Sequence, residues 1–405
     1  MNKRIIRALL VVMVGLSLFF SYLIWFAPTQ VRTDDVATLT KTSKTLSDRQ
    51  VEKIFTPTVV VYTKDGASQI CYHDDLARKL HDEIVGSDLK LEKKALSYAD
   101  VVELKNAVEL RYIDDVSSLN YQTIFLDKKI FKDDFSFDDI KVNLDNNEIY
   151  FIDNKAKNVR VLTGTAEKIS MIKMIDDKAT IHYNAKLDEA LPGIYFYSDA
   201  FELPKYTFLT STLATRSIAN EIFVDDKEFT ENVTDNEYTY SVNGDLNDKT
   251  LIIDENNGVL NYSFKDETKS LLDVSIDYLS KLTVDVSTLG FFAKGDGTLT
   301  FRDYILGIPI FAADGESNIK ISKQNHMFNI VTNLVKLNVP VPDNEMIQMP
   351  NTDEVLAALQ SKGIDPAKIE NLTIGYAIEY TAKSATAKLT PSWYYLLDGT
   401  WTRLD

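Results

Sequence analysis

The stretch that most constrains this chain is its beginning, MNKRIIRALLVVMVGLSLFFSYLIWFAPTQ. The run Ala8–Ala27 is twenty residues long and carries no charge. As a helix rising about 1.5 Å per residue it would span roughly 30 Å, the hydrocarbon thickness of a bilayer. Ser17 and Ser21 are its clearly polar members, and their hydroxyls can bond back to helix carbonyls. Tyr22 and Trp25 stand where aromatic anchors meet the outer interface, and Lys3, Arg4 and Arg7 flank the inner one. A cleavable signal peptide has a shorter apolar core and a small-residue cleavage site. Ala27, with Trp25 two places earlier and Pro28 directly after, makes a poor site. The run therefore reads as a retained anchor. Three basic residues before it, against Asp34 and Asp35 beyond it, place the N-terminus in the cytoplasm and the rest of the chain outside.

Residues 1–28 form the cytoplasmic stub and transmembrane helix on this reading, and 29–45, rich in Thr, Asp and Lys without apolar periodicity, a tether. The remaining length is enough for two or three domains. A net charge of −16 argues against nucleic-acid binding, which requires a basic patch. Cys71 is the single cysteine, so no intrachain disulfide can form.

The spacing predicts an α+β body of mixed α/β domains with antiparallel sheets, at 46–204, 205–314 and 315–405. In the first, Ser47 opens a short helix, and TVVVYTKDGASQICY reads as a hairpin about Asp65-Gly66. Asp74 and Asp75 cap a helix with Leu76, Leu80 and Ile84 on one face, closed by Gly86. A second helix starts at Ser97. Strands are expected at 108–113, 123–126, 148–152 and 159–162, with further strand-like runs from Ile169 to Tyr197. In the second domain a helix over 208–220 leads to strands at 221–224, 237–242, 250–253 and 258–264, then a helix over 269–282. The third has strands near 318–322 and 327–332 and a helix capped by Asn351 or Thr352 and stopped by Gly363. Two endings echo each other: Pro309-x-Phe311 before Asp314-Gly315, and Pro391-x-Trp393 before Asp398-Gly399. Proline there suits a strand start or edge, and the echo suggests that the last two domains are a duplicated unit.

Signals for chemistry are sparse. No phosphate-binding loop, dinucleotide glycine motif, H-E-x-x-H, G-x-S-x-G or S-x-x-K occurs. Cys71 and His73 share one face of a strand, but a metal needs two further ligands, and of His81, His182 and His326 only His81 is near in sequence. A half-buried cysteine beside a surface histidine is the simpler reading. The pairs Asp133-Asp134, Asp138-Asp139 and Asp176-Asp177 suit solvated loops better than catalysis or calcium binding. No catalytic, cofactor-binding or metal site is assigned, and the chain is not expected to be an enzyme.

The anchor ending SLFFSYLIWFAP, the central EIFVDD and YTYSVNG, the FRDYILGIPIF stretch and the closing IGYAIEY and LTPSWYYLLDG together resemble the YycH regulatory proteins of Gram-positive bacteria. The resemblance runs from the anchor to the C-terminus. It implies a single-span membrane protein with a three-domain outer body, acting on the YycFG (WalRK) two-component system. Its partners would be a YycI-type protein and the YycG-type sensor histidine kinase that controls cell-wall metabolism, and it needs no cofactor. Leu10, Val14, Ser17, Ser21 and Ile24 fall on one stripe of the membrane helix. Ser17-x-x-x-Ser21 is a small-x-x-x-small pair that lets two helices approach closely. The alternatives are an anchored binder of wall polymer or an exported ligand, and an exported hydrolase with an unrecognised site.

Overall fold

The computed structural model describes residues 46–404 apart from 93, 95, 127, 188–193, 213, 224, 225, 227, 243–248, 282–287, 313–317, 342–344 and 380–384. The run Ala8–Ala27, and with it every residue read as membrane anchor or helix contact, lies outside them. Among the described residues no helix is long and apolar enough to cross a membrane.

The hairpin Val59–Lys64/Ala67–Tyr72 seeds a nine-stranded antiparallel sheet. Its turn is the one that Asp-Gly favours, with positive φ at Asp65 (52°) and Gly66 (84°). Ala107–Ser117 and Ser136–Asn143 flank the hairpin on one side, followed by Glu148–Asp153, Asn158–Thr163 and Lys90–Leu91; Ile181–Leu187 and Tyr195–Tyr197 complete the other. Strand alternation splits this sheet into two faces. One buries Val60, Cys71, Val108 and Leu110 against the helices Leu46–Phe55, Leu76–Val85, Ser118–Phe125 and Lys168–Ile175. The opposite face carries Val61, Ile70 and Tyr72, and with them Glu109 and Arg111.

The second large sheet has fourteen strands. Its order runs from Phe229–Thr234 through Glu237–Val242, Lys249–Asp254, Val259–Lys265, Met327–Asn333, Ile319–Gln324, Thr298–Ile305, Ile308–Phe311, Asn371–Glu379, Thr386–Leu397 and Tyr206–Thr212 to Val335–Val341. Leu289–Gly295 pairs with Thr298–Ile305, and Thr400–Arg403 with Thr386–Leu397. Neighbours are antiparallel except Ile308–Phe311 with Asn371–Glu379, which run parallel. Strands from 205–314 and from 315–405 thus alternate within one sheet. Phe201–Pro204 and Met346–Met349 form a separate pair.

Pro391 sits in mid-strand, yet at a local edge. The pairing of its strand with Tyr206–Thr212 ends at Leu389, and that with Thr400–Arg403 begins at Tyr394. Phe311 and Tyr394 stack with centroids 3.8 Å apart. Gly375 allows this, because a Cβ there would run into the Phe311 ring and lie 2.9 Å from Tyr394. The Asp398-Gly399 turn has the expected positive φ at both residues; Asp314-Gly315 lies outside the described residues.

Several local expectations are corrected. Residues 123–126 end the helix Ser118–Phe125 rather than form a strand: Ser117 caps it by accepting from Asn120 N, and Tyr121, Ile124 and Phe125 bury at helical spacing. The run from Ile169 begins as the helix Lys168–Ile175, with Met171 and Ile175 one turn apart and both buried. Residues 206–212 are a strand, held by partners on both sides, and the helix occupies only Thr215–Ile222. That helix also takes Glu221 and Ile222, read as a strand start. Asp75 stands at the N-cap of the helix Leu76–Val85 but makes no side-chain cap bond: it is left-handed and accepts from Arg78 Nε at 3.1 Å, while Asp74 accepts from Leu306 N at 3.0 Å. Gly86 closes the helix as its C-cap, as expected, in right-handed rather than left-handed conformation. By contrast, Asn351 and Glu354 form the full capping box of Thr352–Ser361, and Gly363 ends it at φ 80°.

Candidate functional site

The sequence-predicted contact residues Leu10, Val14, Ser17, Ser21 and Ile24, and the anchors Lys3, Arg4, Arg7, Tyr22 and Trp25, lie outside the described residues. Within them the histidines and the cysteine serve the core or the surface. Cys71 faces His182 across paired strands, Sγ to Nδ1 3.4 Å, and burial pushes its thiol up to about 12, away from a reactive thiolate. His81 is buried with Nε2 2.8 Å from the Tyr121 hydroxyl, and burial pushes its pKa down to about 3, so it stays neutral. His73 is half-buried on the surface beside Asp74. No group of three or more His, Cys, Asp or Glu able to hold a metal occurs among the described residues.

A cleft of about 740 Å³ opens between the second face of the nine-stranded sheet and the strands Leu289–Gly295, Thr298–Ile305, Asn371–Glu379 and Thr400–Arg403. Sequence reasoning missed the buried ionic cluster behind its first wall, of which Arg111 alone faces the cleft. Glu109, Arg111, Asp139 and Lys141 lie side by side on neighbouring strands, none more than 8% exposed. Arg111 Nε is 2.8 Å from Asp139 and 3.5 Å from Glu109, and Lys141 Nζ is 2.9 Å from Glu109. Tyr195 donates its hydroxyl to Glu109 at 2.9 Å, with the Arg111 guanidinium 4.8 Å over its ring. Four desolvated ions are tolerable only because each is paired and hydrogen-bonded. The two carboxyls behave differently. Burial works to raise Glu109, but Lys141 and Arg111 prevail and hold it below the usual range. Asp139, burdened by burial and by the charges of Glu109 and Asp138, is pushed well up despite Arg111. The pattern was visible in VELRY and DDIKV, where charges alternate with apolar residues on strands otherwise fit for a core.

The second wall is aromatic. Phe292, Phe311, Tyr394 and Trp401 pack together, Phe292 edge-on to Phe311 at 5.5 Å and Trp401 at 5.7 Å from it. Arg302 is buried among them, its guanidinium 4.4 Å from the Phe292 centroid and 4.1 Å from that of Phe311. Two joints cross the cleft. Asn371 Nδ2 donates to Ile113 O at 2.8 Å, and Lys294 gives its backbone N–H to Asp114 at 2.8 Å and its ammonium to Asp115.

No curated protein matches the chain by sequence. The crystal structure of YycH from Bacillus subtilis is similar, with a TM-score of 0.68 at 16% identity over 91% of this chain and 99% of that one, a likeness of fold. The family models described as YycH protein, N-terminal domain and YycH protein, C-terminal domain match residues 3–179 and 193–405. With both halves matched in order, the chain belongs to the YycH family.

Proposed function

We propose that this chain is a membrane-anchored extracytoplasmic regulator of the YycFG two-component system. With a YycI-type partner it adjusts the YycG-type sensor histidine kinase, and through it cell-wall metabolism. The observation that carries this reading is the family match, which begins at residue 3 and so includes the apolar run. Residues 1–28 supply the stub and span, 29–45 the tether, and 46–204, 205–314 and 315–405 the outer domains, the last two a duplicated unit. The helix stripe Leu10, Val14, Ser17, Ser21 and Ile24 docks on partner or kinase helices and biases one of two kinase arrangements. Interhelical hydrogen bonds average only about 0.6 kcal/mol, so close packing at Ser17 and Ser21 carries the contact. The Ser17→Leu/Ser21→Leu double variant is expected to lose partner co-purification from membranes or to change a kinase reporter. Unchanged co-purification together with unchanged output would refute the helix mechanism.

The cleft favours a second reading, an anchored binding protein for wall polymer or an exported ligand, since ligand sites gather at such junctions. Co-sedimentation of the protein with insoluble wall polymer tests it.

A further inference from the structure

We propose that the cleft binds an anionic saccharide, its ring against Trp401 and Tyr195 and its carboxylate or phosphate between Lys155 and Lys320. This rests on the binding reading and names the ligand class. The volume, about 740 Å³, falls within the range of small-molecule sites, about 300–1,000 Å³.

The charges lining the cleft decide the sign of the ligand. Every carboxylate there already has a donor from the chain. Asp114 accepts from Lys294 N at 2.8 Å and Asp115 N at 2.9 Å, and Asp115 takes the Lys294 ammonium. Asp138 accepts from Asn154 N at 3.0 Å, Asp153 from Ala156 N at 2.8 Å, and Glu370 from Gly399 N at 3.0 Å. Arg111 is held by Asp139 and Glu109. Lys155 and Lys320 line the cleft and are exposed; neither side chain has a hydrogen bond or salt bridge with another described residue, although Lys155 is near enough to Asp114 to work against the burial that raises that carboxyl's pKa. Positive charge outside any salt bridge on a cleft wall stands out in a chain of net charge −16. An anion placed there meets two ammonium groups and competes only with the longer-range attraction between Lys155 and Asp114.

The remaining lining suits a sugar. Ile113, Tyr195 and Trp401 are half-buried and offer apolar faces, while Thr298, Thr300 and Asn371 bring hydroxyl and amide groups to the same space. A ring with one apolar face and several hydroxyls uses both kinds of surface. A hydrophobic ligand would waste the polar groups, and an inorganic anion would leave the rings uncovered.

Trp401 reports occupancy. Of the two tryptophans among the described residues, Trp393 is 3% exposed and Trp401 lines the cleft. The full chain in detergent micelles is titrated with N-acetylmuramic acid, with N-acetylglucosamine 1-phosphate and with uncharged N-acetylglucosamine, followed by tryptophan emission and by calorimetry. One anionic probe is expected to bind saturably, the uncharged sugar about tenfold more weakly or worse. The probe that binds tells the carboxylate source from the phosphate source. Lys155→Glu/Lys320→Glu, changes at exposed positions that leave the fold intact, should weaken binding at least about tenfold. Trp401→Phe should abolish the emission change while calorimetry still reports heat. The proposal is overturned if neither anion gives heat or emission change in the millimolar range, if the double variant binds like the parent, or if the uncharged sugar binds equally. Co-sedimentation with wall polymer that survives such a result would spare the binding reading; loss of both would remove both.

Discussion

The layers packed behind the two walls of the cleft, which reach it through Arg111 on one side and Phe292 and Trp401 on the other, solve the same packing problem with opposite chemistry. On the nine-stranded sheet, Glu109, Arg111, Asp139 and Lys141 fill a desolvated face with paired ions. Across from it, Phe292, Phe311, Tyr394 and Trp401 fill theirs with rings. Ion pairs are directional and fail together when one member goes, because the remaining charge is left buried without compensation. Aromatic contacts are many, individually weak and tolerant of a change in shape. The ionic wall should therefore set which arrangement of strands is allowed, and the aromatic wall how tightly it is held.

The sharpest way to break this contrast is a pair of substitutions. Arg111→Met keeps bulk but strips Asp139 of its cation and leaves Glu109 with Lys141 alone, and should cost about 3–5 kcal/mol in urea unfolding at neutral pH. Phe311→Leu removes part of a ring at a fully buried site and should cost about 1–2 kcal/mol. Equal losses would mean that the ionic wall is only filling space.

Acid separates the walls next. Glu109 is held low by Lys141 and Arg111 against the effect of burial, so its charged form favours the fold above the unfolded carboxylate pKa. That contribution disappears as pH falls through the lowered folded value. Asp139 is pushed up by burial and acts with the opposite sign, losing stability as pH rises from the ordinary carboxylate range toward its raised value. Glu109→Gln mimics the protonated carboxyl. It should cost roughly 2–3 kcal/mol at neutral pH and progressively less in acid, where the parent is protonated too. The Phe311→Leu gap should stay constant over the same range. If the Glu109→Gln gap does not narrow, Lys141 and Arg111 are not what holds that carboxylate charged.

How much of this was legible depended on whether the controlling interaction was local. The Asp65-Gly66 hairpin, the strand pair about 153–158 and the helix boxed by Asn351 and Glu354 follow from neighbours in sequence, and the structure keeps them. Tyr206–Thr212 is a strand because Thr386–Leu397 and Val335–Val341 lie on either side, more than a hundred residues away. Ser118–Phe125 looks extended by propensity, yet Tyr121 packs among Phe125, Phe137 and Phe151 and hydrogen-bonds His81, and these contacts make the helix. The cleft was invisible for the same reason. Its Lys155 and Lys320, its Tyr195 and its Trp401 come from four distant segments, and no spacing rule links them.

The smallest effect tests whether the two walls are joined by charge or by backbone. Lys294 spans them, its ammonium on Asp115 and 3.2 Å from Ser136 Oγ, but its side chain is 36% exposed. A pair this open to solvent is worth about 0–1 kcal/mol and is screened by salt. Lys294→Ala removes the ammonium and leaves the backbone N–H on Asp114, as well as the bonds from Asn371 to Ile113 and from Leu306 to Asp74. The variant should lose less than about 1 kcal/mol, and that difference should vanish in about 1 M salt, where the Debye length is about 3 Å. A loss above about 2 kcal/mol that persisted in salt would show that the ammonium acts as a desolvated strut rather than a surface pair. The ionic character assigned to one wall would then extend across the cleft, and Lys155 and Lys320 would have to be judged against a third strong cation in the same lining.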